Sequence, residues 1–471
     1  MLRKVAVNLR FAAKRLGMSL GFDGLRGRSA LRLLGGRSVF LYYGYTRLYP
    51  PLKCMTVLYL GIDCGGSQTK IVYQLSGAES PGYLLMSPLV EEIKPEKIAS
   101  YLDRKSSLGS PAPEREAYLK WQERVFVVGD LAREFDPEDR TSEQKYENAL
   151  YKVAAAIGVI VERLKLKLGK KKLEVHLGVL IPWDEYNDRS IFEEQLRKIL
   201  AGFEFRGVSI CCSIGSILVR PEGGGVAATY IRQNGIDWLH DKKVAVLMFG
   251  HRNVTALSFD RGKLTGDSPL LGFSNFLDAV IERKSVDREL LSNAVMDTIA
   301  RAYKDTHIEY EADNCYPEWG QYSPIKGLAK AKDVELKEQE CKLIVDAIAV
   351  ATKEYWEKIE KWLGKTIPSA VDIVIISGGA GEFLQPDLER YFNAAHVLER
   401  RPYPYPCKRT GEYGAKDYEL PMPKLLWGAE IVKLVREKFK ISKDKDDHNL
   451  AIRLADCYGL FDYLISLTER K

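Results

Sequence analysis

Two short apolar runs joined by a glycine-containing turn occur twice in the 471 residues, and this repeat constrains the fold most. The first pair is Val57–Ile62 and Thr69–Leu75, joined through the turn Asp63–Lys70. The second pair is Lys243–Phe249 and Val254–Phe259. Apolar runs around a tight turn predict a β-hairpin. Two such hairpins far apart in the chain predict two domains of one design.

Helical patterns and further strands occupy the rest of the chain. Apolar spacing predicts helices over 142–168, 189–200, 273–305, 335–363, 424–438 and 450–467, and strands over 173–181 and 371–376. Alternation of strands and helices is typical of an α/β fold.

Composition limits the class of protein. Apolar residues make up 46% of the chain and charged residues 28%, which is typical of a globular protein. We expect no transmembrane segment, because no run of 18 apolar residues occurs. Eight cysteines include no CxxC pair, which argues against a zinc ribbon and a disulfide scaffold. The expected location is the cytoplasm.

Residues 1–54 carry an unusual charge. They hold eight Arg and three Lys against Asp23, a net charge of +10, so residues 55–471 carry −4 of the overall +6. Three interpretations of this basic extension stay open. It is a transit peptide, a basic arm that meets a membrane or nucleic acid, or a disordered or non-native segment before a start at Met55. The acidic remainder predicts no direct contact with nucleic acid.

The turn Asp63–Lys70 has the composition of a phosphate-binding loop. Backbone N–H groups in a tight turn bind phosphate well. Ser67 and Thr69 add hydroxyl donors, Lys70 adds a cation, and Asp63 adds a carboxylate able to hold hydrated Mg²⁺. An ordinary hairpin turn is the alternative.

Two further turns have a similar composition. The second contains Gly250, His251, Arg252 and Asn253; the third is Ser377–Gly381, which follows an apolar strand. Arginine and asparagine are good phosphate partners. The alternatives are a solvent-facing turn tip for the second and a tight strand-to-helix connection for the third.

The order of these segments resembles the actin, Hsp70 and sugar-kinase superfamily. The resemblance rests on both hairpins, on Pro221-Glu222-Gly223 after a strand, and on the Ser-Gly-Gly-Ala-Gly turn at 377–381. Within the superfamily the chain is most similar to bacterial actin-like ATPases of the ParM type, over about residues 55–438.

The resemblance implies an α/β, actin-like ATPase fold, with two related domains flanking a nucleotide cleft. Domain I is expected at 55–240 and domain II at 241–415. Residues 416–471 are expected to form helices that return to domain I.

The resemblance also implies roles for single residues, with ATP and Mg²⁺ as cofactors. Asp63 matches the residue that holds Mg²⁺, and Glu222 the acid that orients the attacking water, a solvated loop carboxylate being the alternative. The nucleotide contacts it implies are Gly65, Gly66, Ser67, Gln68, Thr69, Lys70, Gly250, His251, Arg252, Asn253, Arg283, Lys284, Ser377, Gly378, Gly379 and Ala380.

One position departs from the family pattern. Relatives usually carry an aspartate at the start of the second loop, where this chain has Met248. A carboxylate on the metal side is therefore missing, which puts the rate of hydrolysis in doubt more than nucleotide binding.

The favoured function is an ATPase that polymerises into filaments, for plasmid or DNA segregation or as a bacterial cytoskeleton. A DNA-binding adaptor is the expected partner in segregation. One alternative is a nucleotide-gated scaffold without hydrolysis. Another is a small-molecule kinase, for which Asp184 is expected to lie outside the cleft. An Hsp70-like chaperone is disfavoured, because only 33 residues follow Lys438.

Overall fold

The described residues form three five-stranded sheets and one three-stranded sheet. The structure is a computed structural model. It describes residues 19–22, 29–32, 38–39, 56–105, 111–137, 144–168, 172–305, 316–368, 371–393, 423–442 and 450–469. The chain divides into two units, residues 1–54 and residues 55–471.

The strands are numbered in chain order. They are β1 (Ser19–Phe22), β2 (Ser29–Arg32), β3 (Ser38–Val39), β4 (Val57–Cys64), β5 (Thr69–Leu75), β6 (Gly82–Met86), β7 (Val90–Ile93), β8 (Ala117–Trp121), β9 (Arg124–Val128), β10 (Leu173–Ile181), β11 (Phe203–Phe205), β12 (Val208–Ile210), β13 (Cys212–Pro221), β14 (Lys243–Phe249), β15 (Val254–Asp260), β16 (Lys263–Asp267), β17 (Ile373–Ser377) and β18 (Lys424–Leu426).

The α-helices are numbered in the same way. They are α1 (Pro95–Lys105), α2 (Lys145–Arg163), α3 (Arg189–Leu200), α4 (Gly224–Asn234), α5 (Ile236–Asp241), α6 (Ser274–Arg283), α7 (Arg288–Asp305), α8 (Ser323–Lys326), α9 (Val334–Thr366), α10 (Gly379–Phe383), α11 (Gln385–Asn393), α12 (Ala429–Phe439) and α13 (Leu450–Glu469). Among the described helices, none is both long and apolar enough to cross a membrane.

Residues 1–54 contribute an antiparallel sheet in the order β1-β2-β3. The sequence patterns did not predict these strands. The three interpretations of the basic extension concern mainly residues outside the described ones, and they stay predictions.

Two sheets of residues 55–471 share one topology. Their orders are β6-β5-β4-β10-β13 and β16-β15-β14-β17-β18. In each, the first three strands form an antiparallel meander. One further strand, β10 or β17, pairs in parallel with the first strand of the meander, and the last strand, β13 or β18, pairs in parallel with that one. Two parallel neighbouring strands need a crossover connection between them, which is usually helical. Helix α2 lies in the connection that leads to β10, and α9 in the connection that leads to β17. The prediction of two related α/β halves that each begin with a hairpin is confirmed.

The third five-stranded sheet, in the order β12-β11-β8-β9-β7, is an addition to the first half.

Apolar clusters show where the halves meet. One cluster fills the first half and a second fills the other half. A third joins β5, α4, β14, α12 and α13, through residues that include Val72, Val226, Val246, Val435 and Leu454. Helix α13 also approaches α4 very closely, because a Cβ on Gly225 or Gly459 would collide with backbone of the other helix.

The prediction of a helix over 424–438 was wrong for its first residues. Residues Lys424–Leu426 are the edge strand β18, parallel to β17, and the helix begins only at Ala429. Gly428 has φ +61°, in the left-handed region, which separates strand from helix. The helix predicted over 273–305 is likewise two helices, α6 and α7.

Candidate functional site

The hairpins that open the two sheets have the same register. Asp63 is paired with Lys70 across β4 and β5, and Met248 is paired with Thr255 across β14 and β15. Both pairs are seven residues apart. Met248 is therefore the counterpart of Asp63, and Thr255 the counterpart of Lys70. We call Asp63–Lys70 loop 1, Met248–Thr255 loop 2 and Ser377–Gly381 loop 3.

The structure brings the three loops together. A Cβ built on Gly66 of loop 1 would lie 3.2 Å from Cβ of Arg252 and 3.8 Å from Cδ2 of His251, both in loop 2. In loop 3, Gly378 has φ +94°, and a side chain there would collide with backbone of Phe249. Only glycine combines that angle with so close an approach.

A buried cluster of two carboxylates and two ammonium groups lies at the base of loop 1. Lys70 Nζ donates to Asp63 Oδ2 at 2.6 Å, and Lys145 Nζ to Asp63 Oδ1 at 3.3 Å. Lys145 Nζ also donates to Oε1 of Glu222. The side chains of Asp63 and Lys145 are each 6% exposed. Such burial of charge is tolerated only because the groups pair.

Charge pairing outweighs burial in the titration of this cluster. Burial by itself would raise the pKa of Asp63, but Lys70 and Lys145 hold that pKa well below its ordinary value. Burial would lower the pKa of Lys145, but Glu222 and Asp63 hold it well above its ordinary value. Asp63 and Lys145 are therefore both charged at neutral pH.

Local structure positions Lys145 and Glu222. The carboxylate of Glu185 accepts from the backbone N–H of Lys145 at 2.8 Å and of Tyr146 at 3.0 Å, which caps the start of α2. Glu222 lies in the turn between β13 and α4, and its backbone N–H donates to the carbonyl of Ile181 at 2.8 Å.

Glu222 connects the first half to the second. Its Oε2 accepts from the Thr255 hydroxyl at 3.4 Å, and that hydroxyl lies 2.7 Å from Oγ of Ser268. Asn253 Nδ2 donates to the Ser268 carbonyl at 3.0 Å. The Glu222 side chain is 12% exposed, so it is not a solvated loop carboxylate.

Backbone hydrogen bonds fix the conformation of loop 2. Carbonyls of Gly250, His251 and Arg252 accept from N–H groups of residues 272–274, at 2.8–3.1 Å. His251 and Arg252 are partly buried. Burial first, and then the nearby cations Arg288, Lys70 and Arg453, lower the pKa of His251 to about 4. His251 is therefore neutral at neutral pH.

The remaining residues of loops 1 and 3 differ in exposure. Gly66 and Ser67 form the exposed tip of loop 1, whereas Thr69 and Ser377 are buried. The hydroxyls of Thr69 and Ser377 have no hydrogen-bond partner within the described part of the chain. A buried hydroxyl without a partner is costly, so both can accept a partner from a ligand.

Arg283 and Lys284 are held at the end of α6. Arg283 Nη2 donates to Glu354 Oε1 at 2.6 Å, and Lys284 Nζ lies 3.5 Å from Glu340 Oε1. Both acids belong to α9. The structure thus pairs these two cations with α9, and their predicted contact with a nucleoside stays a prediction.

The sequence reasoning missed Arg453 and Asp456, which α13 brings to the site. Arg453 Nη2 donates to Gln68 Oε1 at 2.7 Å, and its Cγ lies 3.7 Å from a Cβ built on Gly379. Asp456 accepts from the backbone N–H of Gly223 at 2.7 Å, and burial raises its pKa to about 7. Arg453 therefore connects loops 1 and 3.

Lys145 and Lys152 of α2 were also missed. Lys152 is 7% exposed, and burial lowers its pKa to about 8. The sequence did carry a signal for these two lysines and for Arg453 and Asp456, because all four are charged residues within apolar helical segments. Charged residues are rarely buried in such helices without a functional or structural partner.

The residues fit a polyphosphate better than a protein-held metal. Three loops converge with cations and unpartnered hydroxyls. Both oxygens of Asp63 are already bonded to ammonium groups, and Met248 offers no oxygen. Within the described ranges, no group of three or more His, Cys, Asp or Glu side chains could hold a metal ion.

No protein-family model and no curated protein matches the sequence. Solved structures that it resembles include Bacillus thuringiensis ParM with AMPPNP, at 15% identity, 86% coverage of this chain, 99% of that chain and TM-score 0.48. Another is the apo psk41 ParM protein, at 11% identity, 88% coverage of this chain, 98% of that chain and TM-score 0.47. A third is a 15-stranded ParM filament from Clostridium botulinum, at 12% identity, 88% coverage of this chain, 99% of that chain and TM-score 0.43. These are proteins of the type that the motifs resemble. At these identities and TM-scores the likeness is general, and conclusions about this chain rest on its own sheets and loops.

Proposed function

We propose that the chain is an actin-like ATPase that binds ATP between its two related halves. The observation that carries the proposal is Glu222, which bonds to Lys145 in the first half and to Thr255 in the second. A carboxylate that touches both halves beside two equivalent hairpin loops is well placed for chemistry on a ligand between them.

The proposed contacts follow the predicted residues. Loop 1 supplies Gly65–Lys70 and loop 2 supplies Gly250–Asn253 for the phosphates, through backbone N–H groups and cationic side chains. Loop 3, with Arg283 and Lys284, would meet the nucleoside. Arg453 is added to this set, because it lies between loops 1 and 3.

Glu222 is the proposed catalytic residue. Hydrolysis of a phosphoanhydride depends mainly on positioning of the water and on stabilisation of charge. The Glu222 carboxylate would orient the water, and Lys145 would fix that carboxylate. The Mg²⁺ predicted at Asp63 stays a prediction, since that carboxylate is paired with Lys70 and Lys145.

The sheets support a division into domains. We propose domain I at 55–240 and domain II at 241–415, each built on one of the two equivalent sheets. Helix α13 packs on the first sheet, where Phe461 lies close to Gly61 and Leu460 close to Gly178. This packing supports the return of residues 416–471 to domain I. Residues 394–422 lie outside the described residues.

Self-association into filaments is the finer part of the proposal, and it rests on the resemblance of the motifs. The filament would be cytoplasmic. It would serve either plasmid or DNA segregation, together with a DNA-binding adaptor, or a bacterial cytoskeleton.

Sedimentation with and without ATP and Mg²⁺, with phosphate release followed in the same tube, tests the proposal. We expect ATP-dependent pelleting and slow phosphate release. Absence of pelleting with every nucleotide would contradict filament formation, and pelleting with negligible phosphate release would favour a nucleotide-gated scaffold. Met248 favours that alternative specifically, because it leaves loop 2 without a carboxylate.

The Glu222→Gln variant separates catalysis from binding. It should release phosphate about 100-fold more slowly, the lower range for loss of a positioned acid–base group, while ATP binding stays close to wild type. Glu194→Gln is the matched control, because Glu194 lies on the exposed surface of α3 in a pair with Lys198. Equal release by Glu222→Gln and wild type would show that another group positions the water.

The structure gives no support to a small-molecule kinase. Asp184 is exposed, and its carboxylate accepts a hydrogen bond from the backbone N–H of Ser268. An acid tied to backbone in this way is poorly suited to take a proton from a substrate hydroxyl.

A further inference from the structure

The ammonium group of Lys145 lies between two carboxylates. It contacts Oε1 of Glu222 and lies 3.3 Å from Oδ1 of Asp63, while Lys70 occupies Oδ2 of Asp63 at 2.6 Å. A cation bridging two carboxylates is the arrangement expected of a divalent metal. Here a side chain of α2 supplies that cation.

A second lysine of α2 points to the same place. Lys152 follows Lys145 by two helical turns, so both lie on one face. Lys152 is 7% exposed and makes no hydrogen bond or ion pair with any residue that the structure describes. Its electrostatic neighbours are Cys64, Lys145 and Asp63. A buried ammonium group without a partner is costly, and an anion between the loops would provide the partner.

The charges around the loops favour a polyphosphate anion. Five cations and three carboxylates meet here, a net charge of +2 when Asp456 is ionised. The cations are Lys70, Lys145, Lys152, Arg252 and Arg453, and the carboxylates are Asp63, Glu222 and Asp456. The methionine at position 248 removes the carboxylate that would have lowered this charge.

We propose that this site binds the polyphosphate of ATP without a divalent cation, because Lys145 and Lys152 of α2 supply the positive charge that a metal would bring. This inference rests on the proposed nucleotide site and specifies what that site recognises: the free anion, not the metal complex.

Calorimetric titration of the full chain with ATP tests this directly, once in excess EDTA and once in excess MgCl₂ at matched ionic strength. We expect dissociation constants within about threefold of each other, since a threefold ratio is well below one decade of affinity. Binding that is about tenfold or more weaker in EDTA would overturn the inference.

Two variants identify the source of the charge. In Lys145→Met, ATP binding in EDTA should weaken by about tenfold or more, and MgCl₂ should restore most of it because a metal can then occupy the space between the carboxylates. In Lys152→Met, binding in EDTA should weaken by about threefold to tenfold. Lys198→Met, at an exposed lysine of α3, is the matched control and should bind like wild type.

Thermal unfolding checks that each variant is folded. If Lys145→Met does not fold, the test rests on the comparison of wild-type ATP binding in EDTA and in MgCl₂ and on the Lys152→Met variant. Lys152→Met should fold, because removal of an unpaired buried charge should not destabilise the chain. Wild-type affinity of Lys152→Met in EDTA would contradict the role of α2. Failure of this inference differs from failure of the proposed function: ATP binding only with MgCl₂ contradicts the first, and no ATP binding in either buffer contradicts both.

Discussion

Met248 occupies, in the second sheet, the register position that Asp63 occupies in the first. Asp63 is paired with Lys70 across its hairpin, and Met248 with Thr255 across the other. The two halves therefore share a backbone arrangement and differ in charge: one begins with an ion pair and the other with a methionine beside a hydroxyl.

Replacement of Met248 by Asp should make phosphate release depend on Mg²⁺. The new carboxylate would occupy the register position that Asp63 has in the first hairpin, and the rate at saturating MgCl₂ should rise relative to wild type. Met248 is 6% exposed, so the variant should lose about 1–3 kcal/mol of unfolding free energy. Met248→Asn, polar but uncharged, is the control. A Mg²⁺ response equal in the two variants would contradict a metal-side role for this position.

Arg453→Met should weaken ATP binding by about tenfold, the loss expected for one charge-assisted contact of about 1.5 kcal/mol. The reason is its position between Gln68 of loop 1 and Gly379 of loop 3. Arg232→Met is the matched control, since Arg232 of α4 forms an exposed ion pair with Asp462 of α13, away from the loops. The measurement is an ATP titration of both variants. Similar affinities for the two would remove Arg453 from the site.

His251 should make stability depend on pH in the acid range. Its pKa is lowered to about 4 by burial and by neighbouring cations, against an ordinary value near 6.5. As pH falls from about 6.5 to 4, the unfolded chain takes up a proton that the folded chain does not, so the unfolding free energy decreases. Chemical unfolding of wild type and His251→Gln should show this extra loss in wild type only. Parallel pH profiles would contradict a neutral, partly buried His251 in the folded chain.

Gly61→Ala should destabilise the packing of α13 on the first sheet by about 1–3 kcal/mol. A Cβ on Gly61 would lie 2.7 Å from Cβ of Phe461 and 2.8 Å from the carbonyl of Cys457. Gly202→Ala is the control, because the nearest atom there, Sγ of Cys211, is 3.8 Å away. Urea unfolding measures both. An unchanged midpoint for Gly61→Ala would show that α13 can shift at no cost.

Much of the fold was predictable because its signals are local. Both hairpins, strand β10 and helix α3 follow from runs of apolar residues and from turns between them. Strand β18 was not, since residues 424–426 have a helical apolar pattern and only Gly428, at φ +61°, separates them from helix α12. Pairing with β17 overrides the local pattern.

The three loops of the candidate site were predictable from the sequence, but the network of side chains around them was not. The loops follow from glycines and from polar and cationic side chains that lie close together in sequence. Lys145 instead meets Asp63 and Glu222 across 82 and 77 residues of sequence, through the packing of α2, and no spacing rule connects them. Arg453 reaches Gln68 across 385 residues. Contacts of this kind depend on tertiary packing alone.

Titration of the purified chain with ATP, by calorimetry, tests the central claim most directly, with Lys70→Met as the paired variant. The account predicts one saturable site on wild type and binding weakened by about tenfold or more in Lys70→Met, because Lys70 is the cation of loop 1. Absence of saturable ATP binding to wild type, with and without MgCl₂, would contradict the account.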